Sequence, residues 1–149
     1  MNEPNKIKRG VDLELQIESL AYGGMGLARK DDFVIFVKGG IPGQKVIARI
    51  YKKKKGYAEA RVQKVLIESP HAVDAVCEHF GTCGGCKMQN LSYDEQLKEK
   101  SDQVEDAFRR LGGFQNFKLN NIIAADPVFN YRNKMEFTFS PNRWVLDTE

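Results

Sequence analysis

Apolar and polar residues alternate along the first part of the chain. Val11, Leu13, Leu15 and Ile17 are separated by single polar residues, a spacing that places them on one face of a strand. The same pattern predicts four further strands, at Leu27 to Arg29, Phe33 to Val37, Val46 to Tyr51 and Ala58 to Val62. Glycine-rich turns separate them. Five short strands in so short a stretch predict a small closed barrel of the OB type, which hides its strand edges and often binds oligonucleotides.

Basic residues are concentrated in this predicted barrel. Up to Leu66 the chain has 14 Lys and Arg against 7 Asp and Glu, whereas the remainder has 9 against 13. Clustered cations attract phosphates and release their counterions on binding, so this asymmetry favours a nucleic-acid partner. A solvated charged face without a ligand is the alternative interpretation.

No apolar stretch is long enough to cross a membrane, and the first residues lack the apolar segment of a signal peptide. We therefore expect a cytoplasmic protein that does not bind membranes. In a reducing compartment its three cysteines would remain thiols or bind a metal.

The three cysteines lie together in residues 68–90, where too few apolar residues recur at regular spacing to build a helix or strand. Cys77, Cys83 and Cys86 are spaced C-x5-C-G-G-C, and thiolates on a glycine-rich loop suit iron–sulfur or zinc ligation. A zinc site would recruit His79 or His71 as its fourth ligand, whereas a cubane cluster requires a fourth thiolate. A redox pair of Cys83 and Cys86, or three free thiols, are the remaining interpretations.

Ser92 and Glu95 form a predicted capping box at the start of a helix from Tyr93 to Leu111, which Gly112 ends. Its apolar residues fall on one face: Leu97, Val104, Phe108 and Leu111. Further apolar positions, at Ile122, Ile123, Met135, Phe137 and Phe139, predict strands that begin a second, mixed α+β domain.

The segment from Cys77 to Lys98, C-x5-CGGCKMQNLSYDEQLK, resembles the cluster loop and following helix of bacterial RNA uracil-5-methyltransferases. Residues 23–28 (GGMGLA) and 41–43 (IPG) are similar to the RNA-binding TRAM domain that opens many members of that family. Residues 131–137 (YRNKMEF) resemble the strand that opens the family's central domain. The resemblance thus divides the chain into a TRAM barrel (1–67), a cysteine loop (68–90) and the start of an α+β domain (91–149).

The resemblance implies that Cys77, Cys83 and Cys86 are three of the four thiolates of a 4Fe-4S cluster, with the fourth cysteine beyond this chain. It also implies a reaction that uses S-adenosylmethionine, in which a cysteine thiolate adds to a flipped-out uracil and the neighbouring carbon takes the methyl group. No glycine-rich cofactor turn and no spare cysteine stand in these residues. We therefore assign no catalytic or cofactor-binding residue here and expect the chain alone to be inactive.

The combination of barrel and cluster favours large-subunit (23S) ribosomal RNA as the substrate, with transfer RNA as the alternative. A stand-alone RNA-binding or zinc-binding module is the rival function class. The predicted phosphate contacts are Arg49, Lys52, Lys53, Lys54, Lys55 and Arg61. Tyr51 and Tyr57 flank the lysine run and are predicted to stack on unpaired bases, with filling of the barrel interior as the alternative. Arg132 and Lys134 resemble RNA-contacting positions of the central domain, with salt bridges inside that domain as the alternative.

Overall fold

The computed structural model describes residues 7–134, 139–143 and 145. Residues 1–119 form one compact unit and residues 120–149 another. The elements of the first unit are β1 (Asp12–Gln16), β2 (Ser19–Ala21), β3 (Met25–Lys30), β4 (Phe33–Lys38), β5 (Lys45–Lys53), β6 (Tyr57–Ile67) and α1 (Tyr93–Asp106), which continues as a π-helical turn at Ala107–Leu111. The expected mainly β fold is confirmed.

The six strands form one sheet that closes on itself. Their order is β1-β5-β6-β4-β3-β2, with β4 and β6 parallel and the other pairs antiparallel. β1 and β2 lie at opposite ends of this order, yet only Ile17 and Glu18 separate them in sequence. The three Cα–Cα steps from Gln16 to Ser19 span roughly 11 Å at most, so the two edges of the sheet lie close together.

The hydrogen bonds at this junction show the closure directly. The amide of Ile17 donates to the carbonyl of Gln44 at 2.8 Å, and the amide of Glu18 donates to the carbonyl of Leu27, also at 2.8 Å. β1 and β2 are therefore two halves of one bent strand. The sequence pattern missed the second half, Ser19–Ala21, as a strand of its own because three residues are too few to show a period.

On β1, β5 and β6 the barrel interior is filled by the residues that the alternation predicted to face inward. On β3 and β4 it is filled by Ala28, Ile35 and Val37, whose direction the sequence pattern did not show. Its buried core comprises Leu13, Leu15, Ile17, Ala28, Ile35, Val37, Val46, Ala48, Ile50, Ala58 and Ala60, with Val11 and Val62 packed partly buried against it. Burying a large aliphatic side chain contributes about 1.5–3 kcal/mol. At Gly26 the backbones come closest, because a Cβ there would lie 2.8 Å from the carbonyl oxygen of Gly40 and 2.9 Å from Cγ2 of Ile17.

A second, smaller core joins the barrel to the chain that follows it. Leu20, Ile41 and Leu91 are buried together, with Ala72 and Met88 packed against them. Residues 68–90 form no helix or strand apart from a bridge between Ala72 and Leu91, as expected from their composition.

Helix α1 is attached to the barrel by polar side chains. Glu99 is only 5% exposed, and its carboxylate accepts a hydrogen bond of 2.6 Å from the amide of Leu20 in β2. The side-chain amide of Gln103 donates to the carbonyl of the same Leu20 at 2.9 Å. We call these two contacts the Leu20 clamp. They satisfy a backbone donor and acceptor that would otherwise be buried without partners.

Two expectations for this helix were wrong. The predicted apolar face is largely exposed, since Val104, Phe108 and Leu111 lie open to solvent while Glu95 and Glu99 are buried. The side chain of Ser92 makes no capping hydrogen bond; Glu95 instead pairs with Lys98 at 2.8 Å. Both differences arise because the helix packs on a backbone edge and not on an apolar surface. The predicted extent, Tyr93 to Leu111, is confirmed.

The second unit forms no strand within its described residues, 120–134, 139–143 and 145. The strand expected at Ile122 and Ile123 was therefore wrong, and Met135 and Phe137 lie outside the described residues. Ile123 and Phe139 are almost fully exposed. Alternating apolar residues form a stable strand only against a neighbour that buries one face, and the described part of this unit supplies none.

No helix in the described part of the chain is long and apolar enough to cross a membrane.

The Leu20 clamp predicts how Glu99 variants behave. Burial raises the pKa of Glu99, and a carboxyl whose pKa is higher in the folded chain stabilises it in acid, an effect lost as pH rises through the folded-state pKa. Glu99→Gln keeps an acceptor for Leu20 without the charge. Its free energy of unfolding should therefore increase relative to that of the wild type as pH rises above the ordinary Glu pKa of about 4. Glu99→Ala should lose about 1–3 kcal/mol, because the buried amide of Leu20 is left unpaired.

Urea unfolding at several pH values measures both effects. Glu14→Gln is the matched control, since Glu14 is exposed and pairs with Lys45 on the barrel surface. A Glu99→Gln variant that loses stability relative to the wild type as pH rises would show that the charged hydrogen bond outweighs the cost of burial.

Candidate nucleic-acid interface

The outer face of the barrel is set by the same alternation that fills its core. With Ile35 and Val37 of β4 pointing inward, Phe36 points outward, and with Ala58 buried, Tyr57 of β6 does the same. Their rings meet edge to face, with centroids 5.6 Å apart and planes at 71°. Leu27 of β3 lies opposite Phe36. This apolar, aromatic patch is the part of the barrel surface best suited to contact the face of a base.

A row of basic residues crosses three strands next to the aromatic patch. Lys38 of β4 lies opposite Arg61 of β6, which lies opposite Arg49 of β5. These side chains give this face a row of basic groups, which attract the phosphates of a nucleic acid. Phe36 and Lys38 were missed by the sequence analysis, because an apolar run such as Phe33–Val37 does not show which of its rings faces outward.

The hairpin between β5 and β6 carries the lysine run. Lys52 and Lys53 end β5, and the amide of Lys54 donates to the carbonyl of Tyr57 at 2.8 Å to close the turn. Lys54 and Lys55 are exposed at the tip. The ammonium of Lys53 lies 5.7 Å from the ring centroid of Phe33. The predicted hairpin is confirmed.

Two of the predicted phosphate contacts are held in ion pairs. Arg49 binds Asp12 through two hydrogen bonds, of 2.7 and 2.8 Å, and these hold the pKa of Asp12 below its usual range. Lys52 lies 2.6 Å from Glu59 and lowers the pKa of that carboxyl. Ion pairs at the protein surface contribute little to stability, so a phosphate can replace the carboxylate.

Tyr51 also contacts Glu59. Its hydroxyl donates to the carboxylate at 3.0 Å, and partial burial together with Glu59 raises the pKa of the tyrosine. The phenol is therefore oriented by Glu59, while Tyr57 is packed on Phe36.

Arg132 and Lys134 belong to the second unit. The guanidinium of Arg132 donates to the carbonyl of Lys134 at 3.0 Å, a local contact within that unit.

The cysteines lie on a loop whose two ends are joined. The amide of Val73 donates to the carbonyl of Asn90 at 3.1 Å, and the amide of Ser92 donates to the carbonyl of His71 at 2.9 Å. Residues 74–89 are therefore a closed loop, which we call the cysteine loop. Its own apolar packing is poor, since Val76 is 76% exposed.

The thiols of the cysteine loop have the chemistry of a soft metal site. Cys77 is half-buried, Cys83 and Cys86 are exposed, and the amide of Gly85 points at the sulfur of Cys83 at 3.5 Å. Within residues 7–134, 139–143 and 145, no three His, Cys, Asp or Glu side chains are placed to hold one metal ion. The residue types fit a cluster, and the ligand set remains a prediction.

The two histidines considered as zinc ligands face carboxylates. His71 lies 3.6 Å from Glu95, and His79 lies 3.3 Å from Glu78.

The barrel is similar to parts of known proteins. Residues 6–63 match the TRAM domain. The match covers the barrel, from the approach to β1 into β6. A conserved protein of Methanococcus maripaludis, solved in solution, is 29% identical and aligns with a TM-score of 0.38 over 42% of this chain and 94% of its own.

Curated relatives of the chain carry the name uncharacterized RNA methyltransferase. A Clostridium tetani protein is 39% identical over 133 residues, and an Aquifex aeolicus protein is 40% identical over 131 residues. These alignments cover 89% and 88% of this chain but only 29% and 31% of the relatives. A Chlorobaculum tepidum protein is 44% identical over 108 residues, with 72% of this chain and 22% of the relative covered. The chain thus spans less than a third of the length of these relatives.

The ion pair between Lys52 and Glu59 of the barrel can be tested by titration. Lys52→Gln should raise the pKa of Glu59 towards its ordinary value, because the hydrogen bond from Lys52 is the largest influence that lowers it. The hydrogen bond from Tyr51 remains and limits the rise. Carboxyl 13C NMR followed against pH measures the change.

Lys55→Gln, which removes a neighbouring charge that does not contact Glu59, is the control. An unchanged pKa of Glu59 in Lys52→Gln would mean that the ion pair does not form in solution.

Proposed function

We propose that this chain is the RNA-binding portion of an RNA methyltransferase that acts on uracil C5, with large-subunit (23S) ribosomal RNA as its substrate. The TRAM match, the names of the relatives and the excess of basic residues in the barrel support this proposal. The parent enzyme works in the cytoplasm and uses S-adenosylmethionine as methyl donor. This chain supplies binding, and the reacting groups belong to the remainder of the enzyme.

The observation that carries the proposal is the aromatic patch beside the basic row. Phe36 and Tyr57 offer ring faces and edges for unpaired bases. Lys38 lies two residues further along β4 and Arg61 four residues further along β6, where a phosphate backbone would run. Stacking combined with phosphate contacts is how barrels of this type hold single-stranded RNA. Such contacts hold the strand in register while a target base is unstacked for reaction.

The RNA contact is tested by measuring affinity for single-stranded RNA at several salt concentrations. Phe36→Ala should weaken binding by about 5- to 150-fold, the loss expected for one stacked base, with the salt dependence unchanged. Replacing Lys54 and Lys55 by glutamine should reduce the slope of log affinity against log salt by roughly 1.4, since two phosphate contacts are lost.

Two further variants separate binding from folding. Phe36→Leu keeps an apolar side chain but no ring, so it should bind as weakly as Phe36→Ala while unfolding like the wild type. Replacing Lys64 and Lys100, which lie away from the hairpin, by glutamine removes the same charge and should leave the slope nearly unchanged. Equal slopes for the two double variants would contradict a role for the hairpin.

We further propose that Cys77, Cys83 and Cys86 ligate a 4Fe-4S cluster, whose fourth thiolate comes from outside this chain. The support is chemical: three thiols occur on one closed, glycine-rich loop that has little apolar packing, and a backbone amide points at one of the sulfurs. The cluster would then hold the loop in a defined conformation, because the side chains of the loop pack too little to do so. When bound, it supplies iron–thiolate bonds that fix the loop.

Anaerobic purification followed by iron, sulfide and zinc analysis tests the cluster. We expect a brown protein with about four irons, and replacement of Cys83 by serine should reduce the iron content. Replacement of Thr82 by serine is the control and should leave the metal content unchanged. Stoichiometric zinc without sulfide would overturn the iron–sulfur assignment and leave the RNA proposal intact.

A further inference from the structure

Tyr22 has the most exposed aromatic ring in the barrel, at 95% of its full accessible surface. It opens the three-residue loop of the β2–β3 hairpin, in which Ala21 lies opposite Met25. Nothing in the proposed interface uses this residue, since Phe36 and Tyr57 lie on β4 and β6.

A backbone hydrogen bond closes the turn that contains Tyr22. The amide of Gly24 donates to the carbonyl of Ala21 at 3.0 Å, and Gly23 and Gly24 have φ angles of +92° and +81°, which L side chains rarely adopt. The two glycines thus allow a tight turn that leaves the side chain of Tyr22 pointing into solvent.

The turn is also supported from the cysteine loop. A Cβ on Gly24 would lie 2.9 Å from Cβ of Lys87 and 3.5 Å from Cγ of Met88, so the two segments are in close contact. Lys87 is exposed, and its flexible side chain starts beside the turn. The segment that carries Lys87 thus lies against the turn that carries Tyr22.

The position of the turn matches the proposed RNA path. The turn leads directly into β3, whose third residue, Leu27, lies opposite Phe36. The two strand steps from Met25 to Leu27 cover roughly 7 Å. OB-type barrels bind oligonucleotides on the face of their second and third strands and on the flanking loops, and one barrel of this type contacts about 4–16 nucleotides. The β5–β6 hairpin is one such loop, and the Tyr22 turn is the other.

We propose that Tyr22 is a second stacking platform for an unpaired base of the RNA strand that crosses the barrel, and that Lys87 contacts a phosphate next to that base. This inference rests on the proposed function and extends it to named residues at the other end of the site. The barrel and the cysteine loop then form one continuous RNA-binding surface, so the loop contributes to binding through Lys87.

The test is the affinity of the chain for a single-stranded RNA of about 12 nucleotides, within the size range of such sites. Tyr22→Ala should weaken binding by about 5- to 150-fold with an unchanged salt slope. Tyr22→Phe should bind like the wild type because the ring is kept, and Tyr22→Leu should bind like Tyr22→Ala. Lys87→Gln should reduce the salt slope by roughly 0.7.

Folding is not at risk in these variants, because Tyr22 is almost fully exposed; unfolding midpoints equal to the wild type verify this. Leu111→Ala, a truncation of an exposed apolar residue at the end of the helix, outside the proposed surface, is the matched control and should leave binding unchanged. If Tyr22→Ala binds like the wild type while Phe36→Ala is weakened, the inference about Tyr22 is wrong and the proposed interface stands. Loss of binding in Tyr22→Phe would overturn stacking, and a wild-type chain without RNA affinity would overturn the proposed function itself.

Discussion

Closure of the barrel through Ile17 and Glu18 is the constraint on which the rest of the structure depends. One short segment pairs with β5 on one side and with β3 on the other, so the sheet has to curve tightly. Tight curvature explains the small interior residues, such as Ala48, Ala58 and Ala60, and the close backbone approach at Gly26. It also turns the alternate side chains of β4 and β6 outward onto a convex surface, where a flexible polymer can lie across them.

The electrostatics of that convex surface are finely balanced. Asp12 and Glu59 neutralise two of its cations, yet both pairs are exposed to water and therefore weak. A phosphate backbone can displace them at little cost, and the carboxylates then repel it if the strand lies in the wrong register. The same acidic residues that reduce the net positive charge can thus improve selectivity for strand position.

The sequence was informative where side chains determine the structure and uninformative where the backbone does. The alternation of apolar and polar residues predicted which face of β1, β5 and β6 points inward, because the polarity of the side chains decides which of them are buried. The contact face of α1 was missed, since its partner is the backbone of Leu20 and the residues that reach it, Glu99 and Gln103, look like ordinary surface residues. Phe36 was missed because only the strand register distinguishes it from Phe33. The cysteines were conspicuous, but spacing alone does not fix how three thiols are brought together.

The Leu20 clamp has a consequence for synthesis of the protein on the ribosome. All six strands are complete at Ile67, but Gln103 follows roughly two to seven seconds later at the usual rates of translation. During this interval Leu20 and Ile41 lack the cover of Leu91, and the backbone of Leu20 lacks its partners from α1. The nascent barrel therefore passes through a stage with an open β edge beside an apolar patch, the combination that chaperones bind and that promotes association between neighbouring nascent chains.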